Sequence, residues 1–265
     1  KKTSKQAVNQ ASVNQKDIKK IKFFYPSLEE QKHIVAKLDT IFVQIDKNIS
    51  FKNQILERNN ILQQRILNEW IKKNAKSGDY YKVQNCVENK WINAPFDGNH
   101  GEIHPKASDY TAKGVPFIMA KDLLNGKVNL QNCKFISLKQ AKSLRVGFAR
   151  DGDILITHKG TIGEVAKLDS DLDLTMLTPQ VTSYRIIDKT KINRDYLYYF
   201  FKSDFFQNQL KKISSAGATR AYIGITRQKQ LDICIPPINL QNQAVAILRS
   251  AEQKFLDLYF IKNQT

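Results

Sequence analysis

Two glycine-spaced segments carry side chains suited to gripping a polyanion. Residues 157–163 read THKGTIG and place His158, Lys159 and Thr161 beside Gly160 and Gly163, where a bare backbone can approach a phosphate closely. Residues 217–222 read GATRAY and offer Thr219, Arg220 and Tyr222 in a similarly open loop. Reading a base edge requires forked or planar donors, with Arg the commonest partner of guanine and Gln or Asn of adenine; phosphates take cations and backbone N–H groups. Lys106, Lys121 and Gln180 fall near predicted strand ends or in loops, where a rigid sheet can aim them. His100 lies in the string NHGEIH at 99–104, with Glu102 and His104. A metal site would recruit further ligands from elsewhere, and Pro105 opposes a helix that would bring both imidazoles to one face. The string therefore reads as a loop beside the same polyanion, not as a metal site.

Catalytic patterns are weaker. Asp153, Glu164 and Lys167 suggest a nuclease cluster, but the Glu-x-x-Lys spacing sends its two side chains to opposite faces of a strand. A DNA methyltransferase needs a Gly-rich methyl-donor loop and an Asn/Asp-Pro-Pro-aromatic motif, and the nearest strings, IPPI at 235–238 and APFD at 94–97, fit neither. No GxxxxGK[ST] phosphate loop is present, so ATP-driven work is not encoded here. The expectation is a chain with no metal, cofactor or catalysis of its own.

Composition agrees with a binding role. The 265 residues carry 42 Lys and Arg against 25 Asp and Glu, a net charge of +17, which draws a chain towards a polyanion and most often towards nucleic acid. Hydrophobic content of 42% suits a folded protein, and no apolar run approaches the roughly 18 residues of a membrane span. No signal peptide leads the chain, which begins with Lys1 and so reads as a fragment or a processed chain. Cys86, Cys133 and Cys234 are isolated, which predicts packed thiols in a reducing, cytoplasmic setting, without disulfides or zinc.

The elements that must position these residues follow from periodicity. After a polar opening, Ile18, Ile21, Phe23 and Tyr25 shift towards strand-like alternation, which Pro26 ends. Ser27 then suits an N-cap, with Glu29 and Glu30 in the first turn, and a helix without Gly or Pro is predicted to about Lys73, with Gly78 as its stop. Leu28, Val35, Phe42, Ile49 and Leu56 recur every seven residues, with Leu38, Ile45 and Ile66 on the companion row, the seam of a coiled coil about 70 Å long. Short β-like runs fill the middle of the chain, followed by an aromatic helix predicted over 193–215. A last helix runs from about Asn239.

The two ends repeat. Pro26 and Pro236, Gln31 and Gln241, Leu38 and Leu248 all stand 210 positions apart, and Lys52-Asn53-Gln54 matches Lys262-Asn263-Gln264. Heptad phase is kept, so Val245, Leu248, Phe255 and Tyr259 fall on the second seam. The predicted fold class is α+β: a globular α/β domain attached to a long antiparallel two-helix coiled coil. Its boundaries are an extended lead-in over 1–26, the long helix over 27–77, the globule over 78–222, and a second lead-in with its helix over 223–265.

With these residues in place, the chain resembles the specificity subunit of type I restriction–modification systems. PSLEEQKHIVAKLD at 26–39 and PPINLQNQAVA at 236–246 are similar to that family's two conserved helical regions. GVPFIMAKDL at 114–123, GDILITHKGTIGEVA at 152–166 and TRAYIGITRQKQLDICIPP at 219–237 are similar to landmarks of its target-recognition domain. The resemblance implies a non-catalytic subunit that reads half of a bipartite site in double-stranded DNA. Its helices would set half-site spacing and dock the methyltransferase subunit. S-adenosylmethionine, ATP and Mg²⁺ would reside on the modification and restriction subunits. A complete subunit of the family carries two recognition domains, and this chain has one. The resemblance therefore implies either half of a longer chain or a half-sized subunit acting as a homodimer. The competing reading is a coiled-coil interaction scaffold with a basic globule.

Overall fold

A 47-residue helix, α2 (Leu28–Asn74), dominates the N-terminal part of the chain. It begins where its sequence directs: the Ser27 hydroxyl accepts the Glu30 N–H at 3.2 Å, and Glu29 and Glu30 lie in the first turn. It ends earlier than Gly78. The Asn74 amide donates back to the Trp70 carbonyl at 2.8 Å, and Gly78 sits instead in a short 3₁₀ turn, Ser77–Asp79, closed by the Asp79 carboxylate on the Lys76 N–H. The computed structural model describes residues 5–7, 10–12, 14–23, 25–214 and 221–262. These form two compact units, 1–54 and 55–265, with the division inside α2. No described helix is long and apolar enough to cross a membrane.

In the first unit a small hairpin pairs Lys5–Ala7 with Gln10–Ser12. Next comes α1 (Gln15–Ile18), capped by the Asn14 side chain on the Asp17 N–H at 2.9 Å. The strand expected over 18–25 is absent among the described residues. Ile18 closes α1, and Phe23 and Tyr25 lie exposed. Alternation alone does not make a strand, because the ladder needs a second chain segment to receive it. The α2 seam in this unit, Leu28, Val35, Leu38, Phe42, Ile45 and Ile49, is exposed throughout.

The second unit is built on two five-stranded sheets. One runs in the order Val181–Tyr184, Ile154–Lys159, Thr161–Lys167, Lys127–Val128, Leu123–Leu124. The other runs Tyr110–Thr111, Lys134–Ile136, Val115–Ile118, Thr175–Leu177, Phe148–Ala149. Short helices α3 (Val83–Glu88) and α4 (Leu138–Ser143) connect strands. The single aromatic helix expected over 193–215 is two, α5 (Arg194–Lys202) and α6 (Asp204–Ser214). Ser203 between them is extended, and its hydroxyl donates to the Phe200 carbonyl at 2.6 Å, closing one helix before the next begins.

The main core gathers Tyr196, Leu197, Phe200 and Phe201 of α5 with Leu67, Trp70 and Ile71 of α2. Two further helices follow, α7 (Ile225–Gln228) and α8 (Ile238–Lys262), and Ala244, Val245 and Leu248 of α8 join the same core. Phe255 is half-buried; the Tyr259 side chain lies outside the described residues. Polar bonds fix α8 in place. The Asn193 N–H donates to Gln241 Oε1 at 2.9 Å, and Asp195 pairs with both Lys167, at 2.7 Å, and Arg249.

The repeat extends into local geometry. Helices α1 and α7 stand 210 positions apart residue for residue, as do the Gln31-to-Pro26 and Gln241-to-Pro236 side-chain bonds, at 2.8 and 2.7 Å. The surroundings of the two copies differ. In the second copy, Asp232–Cys234 pairs antiparallel with Tyr80–Lys82, and Ile233 is 0% exposed. Its counterpart Phe23 is 76% exposed, and Leu38 is 44% exposed where Leu248 is 1%.

Candidate nucleic-acid interface

The strand Ile154–Lys159 and its partner Thr161–Lys167 form a hairpin that turns at Gly160, whose φ of 80° favours glycine. The ladder shifts register between Ile156 and His158, and the displaced Glu164 N–H is met by the Thr157 hydroxyl at 3.0 Å. A bulge of this kind re-aims the side chains at a strand end. Here the extra residue lies on the Thr161–Lys167 strand, while Ile154–Lys159 keeps a regular register with Val181–Tyr184, so His158 falls on the same face as Ile154 and Ile156, and Lys159 and Thr161 are exposed at the turn. Gly163 has a different purpose from the one its sequence suggests. A Cβ there would lie 2.3 Å from Gln207 Oε1, so the glycine admits the α6 side chain that bonds its carbonyl, not a phosphate.

Two clefts adjoin at this end of the unit. A cleft of about 680 Å³ is lined by Met119, Lys121, Asn125, Thr161, Glu164 and Gln180. The other, about 370 Å³, is lined by His100, His104, Tyr110, Met119, Lys159, Thr178 and Gln180. Met119 and Gln180 belong to both. Five residues chosen from sequence, His100, Lys121, Lys159, Thr161 and Gln180, are thus brought together from four separate segments. Tyr222 joins them through a β-bridge to Lys159. Lys106 does not; it is exposed, caps the turn Ala107–Asp109 through its backbone, and lines neither cleft. Thr219 and Arg220 lie outside the described residues.

His158 requires a correction. It is 1% exposed and so cannot meet a ligand directly; its strand is covered on both faces from Ile154 to His158. Nδ1 lies 2.7 Å from the Thr182 hydroxyl, Nε2 lies 3.5 Å from Asp97 Oδ2, and the ring centroid is 5.6 Å from that of Tyr222. Asp97 also bonds the exposed His100 at 2.9 Å. Burial alone would raise the Asp97 carboxyl, but the nearby His158 ring and the bond to His100 outweigh that and hold it below the usual carboxylate range.

Sequence reading missed several lining residues. Thr178 is buried with its hydroxyl unpartnered, and the buried His104 Nδ1 is unpartnered too. Burial, with His100 and Lys159 nearby, holds the His104 imidazole below its usual range, so it stays neutral and can accept or donate at a base edge. Nothing in its local string marks Thr178, whereas His104 belongs to the NHGEIH loop already read as lying beside a polyanion. The arrangement offers cations at the rim, a carboxamide and two unsatisfied polar atoms within, and aromatic and thioether walls. That is a set suited to a base edge flanked by phosphate.

The carboxylates that suggested a nuclease do not converge. Asp153 is buried and holds Arg185 through two bonds of 2.7 and 2.8 Å, while Lys167 is committed to Asp195.

A family model described as the type I restriction modification DNA specificity domain matches residues 1–58 and 96–259. The EcoBI type I restriction enzyme specificity subunit of Escherichia coli is 25% identical over 254 residues, covering 87% of this chain and 50% of that protein. Among solved structures, the HsdS subunit from Thermoanaerobacter tengcongensis aligns with a TM-score of 0.53 at 19% identity, over 97% of this chain and 59% of that one. A chain from a study of complex assembly and conformational transition in the type I R-M system aligns with a TM-score of 0.57, also at 19% identity, over 90% of this chain and 55% of that one. The chain spans about half the length of the curated relatives it matches.

Proposed function

The chain belongs to the type I restriction modification DNA specificity domain family, and we propose that its second unit reads one half of a bipartite site in double-stranded DNA. The observation that carries this reading is the convergence of His100, Lys121, Lys159, Thr161 and Gln180 on two adjoining clefts, in a chain of net charge +17. Lys121 and Lys159 meet phosphates, and Gln180 and His104 meet base edges. The chain selects the site and leaves the chemistry to others. S-adenosylmethionine, ATP and Mg²⁺ are held by methyltransferase and restriction subunits, the first of which docks on the helices. Three buried thiols without a disulfide suit the reducing cytoplasm in which such a complex works.

The first unit is the closing piece of a second recognition domain. Residues 14–38 copy the segment 224–248 that closes the globule, down to the four-residue helix and the Gln-to-Pro bond, yet expose the apolar residues that the second copy buries. A globule of the same construction would offer them an edge strand like Tyr80–Lys82 and a loop like Lys191–Asn193. Those of this chain are already taken by its own Asp232–Cys234 and Gln241, which favours a separate domain over a second copy of this one. Salt dependence tests the DNA reading against the scaffold reading. In complex with the methyltransferase, affinity for duplex should fall linearly on a log–log plot with a slope of about −0.9 per phosphate engaged. Affinity that is flat with salt would reject it.

A further inference from the structure

We propose that His158 is a positioning residue that holds the DNA-contacting segments in register without touching DNA itself, an inference that rests on the proposed DNA reading. Three of the four segments that border the two clefts, those of His100, Lys159 and Gln180, meet at this one residue, together with the Tyr222 segment that bridges to Lys159. Its backbone N–H donates to the Gln180 carbonyl at 3.0 Å, and its carbonyl accepts the Ile223 N–H at 2.9 Å, beside Tyr222. Its ring faces Asp97, which holds His100, and its own strand continues into Lys159.

The bonding around the ring accommodates one tautomer without conflict. Gln228 Nε2 donates to the Ile223 carbonyl at 3.0 Å and to Thr182 Oγ1 at 2.9 Å, while Gln228 Oε1 accepts the Tyr184 hydroxyl at 2.9 Å. A carbonyl only accepts, so the amide orientation is settled, and with Gln228 donating to Thr182 Oγ1 the hydroxyl proton is free to reach His158 Nδ1. In that tautomer the ring proton sits on Nε2, facing the Asp97 carboxylate across a gap too long for a full hydrogen bond, as an electrostatic contact. Every member but Asp97 is buried, so the chain of bonds transmits position and takes no part in chemistry. The ring of Tyr222, itself exposed, rests beside this assembly.

The test is a double-mutant cycle on duplex binding by the assembled complex, using His158→Gln and Tyr222→Ala, with thermal unfolding of each variant alongside. His158→Gln should weaken specific binding about tenfold or more, and Tyr222→Ala in that background should cost little further, because the tyrosine has already lost its seat. Thr182→Val, which removes the donor to Nδ1 at constant volume, should reproduce the loss if His158→Gln fails to fold. Additive effects, or losses that merely track unfolding temperature, would make His158 structural only and overturn the inference. Folded variants that bind as the parent does would overturn it and leave the DNA reading standing. Failure of the parent complex to bind specifically would remove both.

Discussion

At Asp153 the neighbour decides what a carboxylate does. Its two bonds to Arg185 in a buried setting make it half of an ion pair, and removing one member leaves an uncompensated buried charge. Asp153→Ala should therefore cost about 3–5 kcal/mol of stability, read by denaturant unfolding, and a variant of undiminished stability would reject that role. The rim cations belong to another class. Lys159→Ala should weaken binding uniformly across sequences and reduce the salt slope by about one, leaving unfolding unchanged; an altered base preference would instead place Lys159 at a base edge. The thiols are inert for a physical reason, since burial pushes Cys86 up to about 12 and Cys234 up to about 11. Alkylation of the native chain near neutral pH should be negligible, and fast labelling would contradict the packing described.

At the scale of elements, the repeated helices make opposite predictions for equivalent substitutions. Leu248→Asp places a charge in the core and should cost about 4 kcal/mol or more. Leu38→Asp, at an exposed position, should leave the chain's own unfolding nearly unchanged while weakening assembly with the proposed second domain. Equal destabilisation by the two would contradict the exposed seam. The anchor of α8 is sensitive to acid. Burial would raise the Asp195 carboxyl, but Lys167 and Arg249 together hold it below its ordinary value. A carboxyl depressed on folding contributes stability that is complete above its unfolded value, about 3.9, and is lost as pH falls through the lower folded value. Asp195→Asn should therefore flatten the acid limb of the stability curve below about pH 4. The long helix and the repeat were legible because each is written in a local pattern. The strand at 18–25 was misread because pairing is non-local, the break at Ser203 because its cap is a single hydroxyl in an amphipathic run, and the burial of His158 because both faces of its strand are covered by segments distant in sequence.

At the scale of the whole molecule, two related closing segments flank one globule, one of them satisfied within the chain and the other exposed. On the proposed reading, a chain that repeats its docking piece would join this globule to a second reading domain along the long helix. The central claim is that this globule reads sequence, and selection from a randomised duplex library by the chain assembled with its methyltransferase tests it most directly. The account predicts recovery of a short fixed motif at one half-site, with enrichment lost on His158→Gln and retained on Leu138→Ala, an exposed residue that lines neither cleft. Recovered duplexes with no shared motif, at salt where binding persists, would contradict it.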